Sequence, residues 1–557
     1  MRIKLHFTAF VLFNLSSFYL AGQNIKLTLP KSGDYVAPET FGAKGDGIAD
    51  DRVALQAAFN AAQTTILLSG NYKISGPLIV PSNKKIIGQQ STITAPNRSF
   101  FDAIIIKGSK NIFIEGLTIK ANDGENAFDK AIYIIDGKNI VIANCTISNI
   151  GVESSKLEYG FGILVSGSFK ASPSGNFGSE NIKILNNTIS NIKGYGNARG
   201  DFVCIQHSSQ VIIENNYFNK CSRQGIAIAD FATDIKISNN FILNTYLDGI
   251  DIEPDSPKSI TGHISIKNNT IRNFGCKPKF TIGIQSYGID CHANQSNIDI
   301  EGNQIFASSD SSLAGINCQS DSYYIRIVNN SITGNNVLKK GISLYSGSGA
   351  KSLIIANNII TGFKEYGIDS YKNGTITIIG NQLESTIGII GIKSNESECI
   401  ISNNFITISS NSPNVLGLAV FQSGIKRIQN NVVKINSGIA YQFVVSKGFY
   451  STGSLFSDNS AINLGKGKIA YSIETADFAP DFQFINNYSD SSFPKKVLPE
   501  HFAIISENGI SPPSSGYYVK GSKIYNLIPI ENGYTGWICI NSGSPGTWKP
   551  FGKIAPQ

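Results

Sequence analysis

The chain has few charged residues, few cysteines and almost no long apolar runs, and each scarcity excludes a class of protein. Charged residues occupy 16% of the 557 positions, and the formal net charge is +7. The basic residues are scattered rather than clustered, so we expect no nucleic-acid partner. Eight cysteines are too few for a disulfide scaffold at this length. Beyond the amino terminus no apolar run is long enough to span a bilayer, so we expect no membrane insertion.

The first residues have the pattern of a secretory signal. Two basic residues, Arg2 and Lys4, precede an apolar stretch at 7–20, and small residues follow at 21 and 22. We therefore assign residues 1–23 to a signal peptide and expect a secreted or periplasmic protein.

An asparagine recurs at intervals of 23 to 34 residues, and each copy is followed two residues later by an apolar side chain. The copies are Asn187, Asn216, Asn240, Asn269, Asn303, Asn330, Asn358, Asn381, Asn404 and Asn431. A unit this short cannot bury its own apolar face, so it must stack on copies of itself. We expect each asparagine to adopt the left-handed turn conformation and to bond to its copy one coil away, with the register weakening after about residue 440.

Each unit contains short strands of alternating apolar residues separated by polar bends. An example is QGIAIADF, followed by DIKISNNFI and a variable loop. Three strands per turn predict a right-handed parallel β-helix rather than a sandwich. The predicted fold is therefore an all-β solenoid over residues 66–510, with an amino-terminal capping helix and a small carboxy-terminal β module.

The segment FGAKGDGIADDRVALQAAFNAA, within residues 24–65, supplies a cap for the open end of the stack. Asp50 or Asp51 can cap a helix with one apolar stripe. The stripe comprises Leu55, Ala58, Phe59 and Ala62. This segment resembles the amino-terminal motif of the pectate lyase superfamily, which includes polygalacturonase-related proteins and phage tailspikes. The resemblance implies a β-helix with a capping helix, and it implies structural roles for Asp46, Asp50 and Asp51.

A Pro- and Ser-rich stretch at Ser511 to Ser515 resembles a linker to a compact module at residues 516–557. The module is similar to short terminal β-modules of secreted and phage-like β-helix proteins. Trp537 and Trp548 could stack on sugar rings, but filling a small core is the favoured interpretation.

A strand that begins Gly-Ile recurs in the units, and its alternation places two polar columns on the outer face. The first column is Ala227, Asp251, Asp290, Asn317, Ser343 and Asp369. The second column is Ala229, Glu253, His292, Gln319, Tyr345 and Tyr371.

Two adjacent coils thus bring four candidate catalytic residues, Asp251, Glu253, Asp290 and His292, onto one exposed patch. Carboxylates this close repel each other, so at least one should have a raised pKa and act as an acid beside an ionised base. We expect the patch to be a cleft floor for a polysaccharide. The candidate substrate-binding residues are Arg223, Gln206, Tyr287, Asn317, Gln319, Tyr345 and Tyr371.

Glycoside hydrolysis is the leading interpretation. We assign Glu253 as general acid and Asp251 or Asp290 as the base, with His292 tuning the cluster. Carboxyl groups two residues apart on a strand should lie roughly 6 to 8 Å apart, which favours inversion. The polygalacturonase-related family likewise gathers aspartates and a histidine on successive coils. This chain lacks that family's Asn-Thr-Asp, Gly-Asp-Asp, Gly-His-Gly and Arg-Ile-Lys signatures, which puts galacturonan as the substrate in doubt.

Two other functions stay open at this point. YGIDCH, which runs from Tyr287 to His292, is similar to the YGFDPH motif of alginate epimerases and related lyases. That resemblance implies that Tyr287 and His292 exchange protons at C5, that Asp290 orients them, and that Arg199 or Arg223 neutralises the uronate. The third reading is a non-catalytic, tailspike-like fibre that binds glycans.

No cofactor is predicted. Several carboxylates offer the oxygens that Ca²⁺ prefers, although no spaced calcium loop is visible. They are Asp248, Asp251, Glu253, Asp255 and Asp290. Cys291 and Cys318 fall on equivalent inward positions, where two buried thiols are favoured over a bridge. The sequence is compatible with a monomer or a trimer.

Overall fold

Parallel strands stack in three sheets along most of the chain in the computed structural model. The structure describes residues 33–96, 99–121, 128–152, 160–168, 178–194, 200–254, 259, 261–276, 286–292, 295–319, 323–348, 352–395, 398–421, 424–445, 453–475, 483–497, 504–515 and 518–556. The predicted signal peptide, Arg199 and Asp255 lie outside these ranges.

Within each sheet a strand pairs in parallel with the strand one coil later, which is the pattern of a parallel β-helix. The first sheet contains Leu78–Ile79, Ile104–Lys107, Lys130–Ile135, Phe161–Ser166, Asp201–Ile205, Ile226–Ile228, Ile250–Ile252, Ser286–Cys291, Ser312–Cys318, Lys340–Ser348, Tyr366–Asn373, Ile390–Ser394, Leu416–Phe421, the later parts of Val432–Val445 and Ser460–Thr475, and Lys495–Val497.

The second and third sheets complete each coil. The second contains Thr65–Leu68, Lys84–Gly88, Lys110–Glu115, Lys138–Ala143, Ser179–Leu185, Ser208–Glu214, Thr233–Ser238, Thr261–Lys267, Gln295–Glu301, Tyr323–Val328, Leu353–Ala356, Thr375–Ile379, Glu398–Ser402, Lys426–Gln429, Leu455–Ser457, Gln483–Ser489, Ile504–Gly509 and Lys523–Asn526. The third contains Asp46–Asp50, Asn71–Lys73, Thr92–Thr94, Thr118–Lys120, Thr146–Ile150, Thr188–Ile192, Tyr217–Cys221, Phe241–Thr245, Thr270–Arg272, Gln304–Phe306, Ser331–Thr333, Ile359–Thr361, Gln382–Ser385, Phe405–Ile408, and the first parts of Val432–Val445 and Ser460–Thr475.

The core is a continuous column of inward-facing apolar side chains, most of them isoleucine. Ile250 and Ile252, for example, are fully buried on one strand, and Ile289 continues the same column on the next coil. Because strand side chains alternate, the residue between two buried isoleucines must project from the outer face. The predicted all-β solenoid is therefore confirmed, and its first sheet carries the predicted polar columns.

The recurrent asparagines form the predicted ladder inside the turns. The Oδ1 atom of Asn303 accepts hydrogen bonds from the backbone and side-chain nitrogens of Asn269 at 2.9 and 3.0 Å. Its Nδ2 atom donates to the carbonyl of Ile266 at 2.9 Å. The ladder continues past residue 440, where the register was expected to weaken, through Asn459 and Asn487.

The left-handed conformation does not belong to the ladder asparagines. It belongs to the residue before each of them, for example Asn268 with φ 55° before Asn269. One residue therefore makes the bend, and the next residue supplies the side-chain amide that stacks in the ladder.

The helix Arg52–Asn60 covers the amino-terminal end, after a short 3₁₀ helix at Pro38–Phe41. Leu55, Ala58 and Phe59 are fully buried against the core, whereas Ala62 lies beyond the helix and is exposed, which is a correction to the predicted stripe.

Three polar side chains tie this helix to the stack. Asp50 accepts hydrogen bonds from the N–H groups of Arg52 at 3.2 Å and Ser75 at 3.1 Å. Asp51 accepts from the N–H groups of residues 44 and 45 rather than from the first turn of the helix. Gln56 bonds to both the N–H and the carbonyl of Ile79, which satisfies a strand edge that would otherwise lack partners.

The carboxy-terminal module continues from the second sheet. Lys523–Asn526 pairs in parallel with Ile504–Gly509 and antiparallel with Tyr534–Asn541, which in turn pairs with Thr547–Lys553. The two tryptophans at 537 and 548 are partly buried against the core, and Trp548 lies edge-on to Tyr518 at 5.0 Å. This packing agrees with the favoured interpretation that the tryptophans fill a small core.

Cys291 and Cys318 occupy paired positions, are fully buried and are both free thiols. Among the helices of the described residues, none is long and apolar enough to cross a membrane.

Candidate active site

The register of the first sheet is the one predicted for the first polar column. Its backbone partners run from Ala227 through Asp251, Asp290, Asn317 and Ser343 to Asp369. The next coil adds Lys393, which the sequence analysis did not include. Neighbouring members are separated by one strand spacing, about 4.8 Å.

The glycine before each strand is required because neighbouring coils approach closely. A Cβ atom at Gly249 would lie 2.5 Å from Ile271 Cγ2 and 2.6 Å from the carbonyl oxygen of Gly288. The repeated glycine therefore fixes how the site-bearing strands stack.

Asp251, Asp290 and His292 form a compact triad on two adjacent coils. The Nε2 atom of His292 lies 3.3 Å from Asp251 Oδ1 and 3.1 Å from Asp290 Oδ2. Both aspartates are only 1% exposed, whereas the side chain of His292 is 34% exposed. The prediction of an exposed acidic patch is therefore wrong for Asp251 and Asp290, since the polar side chains around them cover both carboxylates.

Amide side chains from the next coil complete the surroundings of Asp290. Asn317 Nδ2 donates to Asp290 Oδ1 at 2.7 Å, and Gln319 Nε2 lies 3.3 Å from Asp290 Oδ2. With His292 this places three donors on one carboxylate. Asp290 is thus surrounded as a hydrogen-bond acceptor, and the side chains of Asn317 and Gln319 contact it directly.

Glu253 belongs to a second network, built around Arg223. The guanidinium bonds to Asp201 at 3.0 Å through Nη1 and forms a close ion pair with Glu253 through Nη2. Gln224 Nε2 contacts Asp251, and it lies 3.4 Å from Glu253 Oε2. Arg223 is therefore engaged by two carboxylates, and Glu253 remains 30% exposed at the surface of the site.

The sequence analysis missed Asp201 and Gln224 as members of the site. Gln224 precedes the strand glycine Gly225, just as Asp248 and Tyr287 precede theirs. Residues at this position form a third column that borders the other two. Asp248 accepts a hydrogen bond from the backbone N–H of Tyr287 at 2.6 Å. The position before each strand glycine was thus the sequence signal that could have found Gln224, whereas Asp201 precedes Phe202 and has no such signal.

The pKa values of Asp251 and His292 are both raised, but by different causes. Burial raises the pKa of Asp251 to about 7, and the neighbouring carboxylates of Glu253 and Asp290 add to the effect against the opposing influence of His292. Burial lowers the pKa of His292, but its contacts with the two aspartates outweigh this and raise the pKa to about 11. At neutral pH the imidazole is therefore charged, while Asp251 is divided between its two forms.

Other groups in the same region are shifted by the same causes. Burial raises the pKa values of Asp201 and Asp248 above the ordinary value. Burial and the nearby carboxylates Asp290, Asp248 and Asp251 raise the pKa of Tyr287, which is 7% exposed. Tyr287 therefore keeps its proton at neutral pH.

The carboxylate spacing differs from the prediction. A single amide nitrogen, that of Gln224, contacts both Asp251 and Glu253. Their nearest oxygens are consequently closer together than the roughly 6 to 8 Å expected for residues two apart on a strand. The geometric argument for inversion does not hold for this pair.

The remaining candidate residues lie along the same face. Tyr345 and Tyr371 stack with ring centroids 5.8 Å apart and are 61% and 45% exposed. We call this exposed aromatic pair the tyrosine platform. Gln206 lies two coils before Glu253 and donates to Ser166 Oγ at 3.1 Å.

Asp251, Asp290 and His292 present atoms within 4.8 Å of one another, which is a donor set that a divalent cation could share. The His292 imidazole already contacts both carboxylates. These two contacts hold the triad together.

The chain is similar in sequence to two proteins of bacteriophages. The preneck appendage protein of Bacillus phage PZA is 24% identical over 272 residues, which are 43% of this chain and 30% of that protein. The capsule K30/K69-specific depolymerase 1 of Klebsiella phage K5-2 is 38% identical over 90 residues, 16% of this chain and 10% of that protein. The chain thus spans less than a third of the length of either relative.

A similar solved structure is the surface protein and adhesin PfbA of Streptococcus pneumoniae. It has a TM-score of 0.47 and 16% identity, and the match covers 64% of this chain and 99% of that one. Residues 75–242 and 203–383 match the family described as the right-handed β-helix region. Together these matches span residues 75–383, more than half of the chain. The protein therefore belongs to the right-handed β-helix family.

Proposed function

We propose that the protein is an extracellular polysaccharide depolymerase that hydrolyses a glycosidic bond at Asp251, Glu253, Asp290 and His292. The observation that carries this proposal is the contact of one amide, Gln224 Nε2, with both Asp251 and Glu253. It shows that a single small group can touch a buried carboxyl and an ion-paired carboxylate at once. Carboxyl groups this close suit a double displacement, in which one gives a proton to the glycosidic oxygen and the other attacks the anomeric carbon.

The two carboxyl groups differ in the way that acid–base catalysis requires. Asp251 carries a proton in part of the population near neutral pH, because its pKa is raised to about 7. Glu253 forms a close ion pair with Arg223, which holds its carboxylate beside Asp251. We therefore assign Asp251 as the acid and Glu253 as the nucleophile, whereas the sequence suggested Glu253 as the acid.

In the proposed step the sugar displaces the Gln224 amide from above Asp251. Asp251 gives its proton to the glycosidic oxygen as the bond from that oxygen to the anomeric carbon breaks. Glu253 attacks the anomeric carbon as that bond breaks, which forms a glycosyl–enzyme ester. Water then displaces Glu253 from the anomeric carbon and gives a proton to Asp251, which restores both groups. His292 stays charged, and its Nε2 atom lies 3.3 Å from Asp251 Oδ1 and 3.1 Å from Asp290 Oδ2, which orients both aspartates.

The relatives support a polysaccharide as the partner. One of them is named as a capsule-specific depolymerase, although the alignment covers a tenth of its length. Such a substrate is consistent with the exposed tyrosine pair on the same face of the solenoid. The proposed secreted location fits a polymer outside the cell.

Elimination at a uronate is the second candidate, because Tyr287, Asp290 and His292 lie on and beside one strand. Proton abstraction needs a base, yet His292 has a pKa of about 11 and is charged at neutral pH. Arg223 is engaged by Asp201 and Glu253, so it is not placed to neutralise a uronate. Hydrolysis therefore explains more of the contacts among these residues than elimination does.

The test is incubation with a panel of bacterial capsular and plant polysaccharides, with two readouts. We expect new reducing ends without the ultraviolet absorbance of an unsaturated uronate. Glu253→Gln should lower turnover at least about a hundredfold, because the amide cannot attack the anomeric carbon. Asp299→Asn on the second sheet is the matched control and should leave turnover unchanged.

Other outcomes discriminate among the alternatives. Absorbance that rises with the reducing ends would replace hydrolysis with elimination. Tight binding of a glycan that is never cleaved would indicate a binding fibre. A chelator arm tests the metal, and we expect EDTA to leave turnover unchanged.

A further inference from the structure

The first polar column changes charge along its length. Its central coils carry Asp251 and Asp290 beside Asp201, Asp248 and Glu253, and among the described residues Arg223 and His292 are the cations in contact with them. Three coils beyond Asp290, two lysines converge on the single carboxylate of Asp369. The face is therefore acidic at the candidate reaction centre and basic farther along.

Lys340 and Lys393 together carry more positive charge than the single carboxylate of Asp369 neutralises. Lys340 Nζ donates to Asp369 Oδ2 at 2.7 Å, which accounts for that ion pair. Lys393 Nζ lies 3.7 Å from Asp369 Oδ1, beyond a good hydrogen bond, so a second positive charge remains for another anion. Both ammonium groups also lie 5.3 Å from the centre of the Tyr366 ring.

The tyrosine platform adjoins this pair. Tyr345 and Tyr371 lie on the same two coils as Lys340 and Asp369, and their stacked rings are exposed to solvent. Exposed aromatic faces beside a cationic group suit a ring that is apolar on its flat side and charged at its edge. A sugar that bears a carboxylate has both features.

We propose that Lys340, Lys393, Tyr345 and Tyr371 form a second binding subsite, which takes an anionic sugar unit of the polymer a few units away from the bond that is cut. Lys393 is four coils from Asp290, which is about 19 Å at one strand spacing per coil. The acidic centre repels an anion at the cleaved bond, and the lysines attract one at this distance. The preferred substrate is thus a heteropolysaccharide with neutral sugars at the cleavage point and an acidic sugar once per repeat.

This inference rests on the proposed function for what happens at the acidic centre, but its own test is a binding measurement. The probes are gellan, whose repeat carries a single glucuronate among neutral sugars, together with other anionic heteropolysaccharides, each paired with its carboxyl-reduced form. Polygalacturonate, which is acidic at every unit, completes the set. Affinity is measured by electrophoresis through gels that contain each polymer, at low and high salt.

We expect the wild-type protein to bind at least one anionic heteropolysaccharide more tightly than its reduced form. Lys393→Gln should weaken that binding about three- to tenfold, as for loss of a partly buried ion pair, and should leave the reduced polymer unaffected. Lys393→Arg should retain the affinity. Tyr371→Ala should weaken binding of both forms, because stacking does not depend on the carboxylate.

Lys267→Gln is the matched control, since Lys267 also bridges two carboxylates but lies on the second sheet. Thermal melting confirms that each variant is folded. No preference for any anionic polymer over its reduced form, or equal loss in Lys393→Gln and Lys267→Gln, would overturn the subsite. Charge-dependent binding without any cleavage would support the subsite and contradict hydrolysis. Cleavage that is unchanged in Lys393→Gln, with no loss of binding, would support hydrolysis and contradict the subsite.

Discussion

Replacement of Asp251 by asparagine should abolish activity and yet stabilise the protein above neutral pH. The pKa of Asp251 is 3.8 in an ordinary setting and about 7 in the folded chain. Because the unfolded chain releases this proton first, the folded state loses stability as the pH rises from about 4 to about 7. At about 1.4 kcal/mol for each pH unit, the loss amounts to about 4 kcal/mol and is complete above neutrality.

Asparagine has nearly the shape of the protonated aspartic acid and cannot ionise, so Asp251→Asn escapes that penalty. We expect its melting temperature to exceed that of the wild type by a few degrees at about pH 8 and to match it at about pH 4. The measurement is calorimetric or circular-dichroism melting at both pH values, with Asp299→Asn as control. A variant that melts lower than the wild type at about pH 8, with the difference absent at about pH 4, would refute the reasoning, because the carboxylate would then be stabilising when ionised.

Two further perturbations test the acid and the scaffold separately. The value of kcat/KM should fall as the pH rises through about 7, because Asp251 loses its proton. His292 stays charged between about pH 5 and 8, so its titration should not change kcat/KM in that range. A profile that instead rises through that range would favour a neutral imidazole acting as a base. Asn303→Ala should destabilise the fold by about 4 kcal/mol in urea unfolding, since it strands the Asn269 N–H and the Ile266 carbonyl. The neighbouring exposed Gln304→Ala should change stability little, and equal effects of the two would contradict the ladder as a stabilising element.

The architecture was predictable because its determinants are local and repeat. The spacing of Asn187 through Asn431 reports coil length directly, and the alternation around Ile250 and Ile252 reports which side chains face inward. The continuation at Asn459 and Asn487 was harder to find, since long strands replace the separate short ones there. Once coil length and strand register are known, the polar columns follow.

The chemistry of the site was only partly predictable. Sequence places Asp251 beside Asp290 but contains no sign of how deeply they are buried, because that depends on where Gln224 and His292 lie. The ion pair of Arg223 with Glu253 joins different coils, and the proposed change in the role of Glu253 rests on it. Burial and ion pairing between coils depend on the tertiary structure, whereas the strand register follows from the spacing of residues in the sequence.

The first polar column keeps its pairing from Asp251 to Lys393, so the number of coils sets the distance between any two of its members. Duplication of the coil that carries Asn317 would keep the contacts at both ends, since Asp290 would still meet Asn317 and Asp369 would still meet Lys340. The separation between Asp290 and Asp369 would increase by about 4.8 Å. Relatives could therefore adapt to polymers of longer period by gaining whole coils, with no substitution at either end.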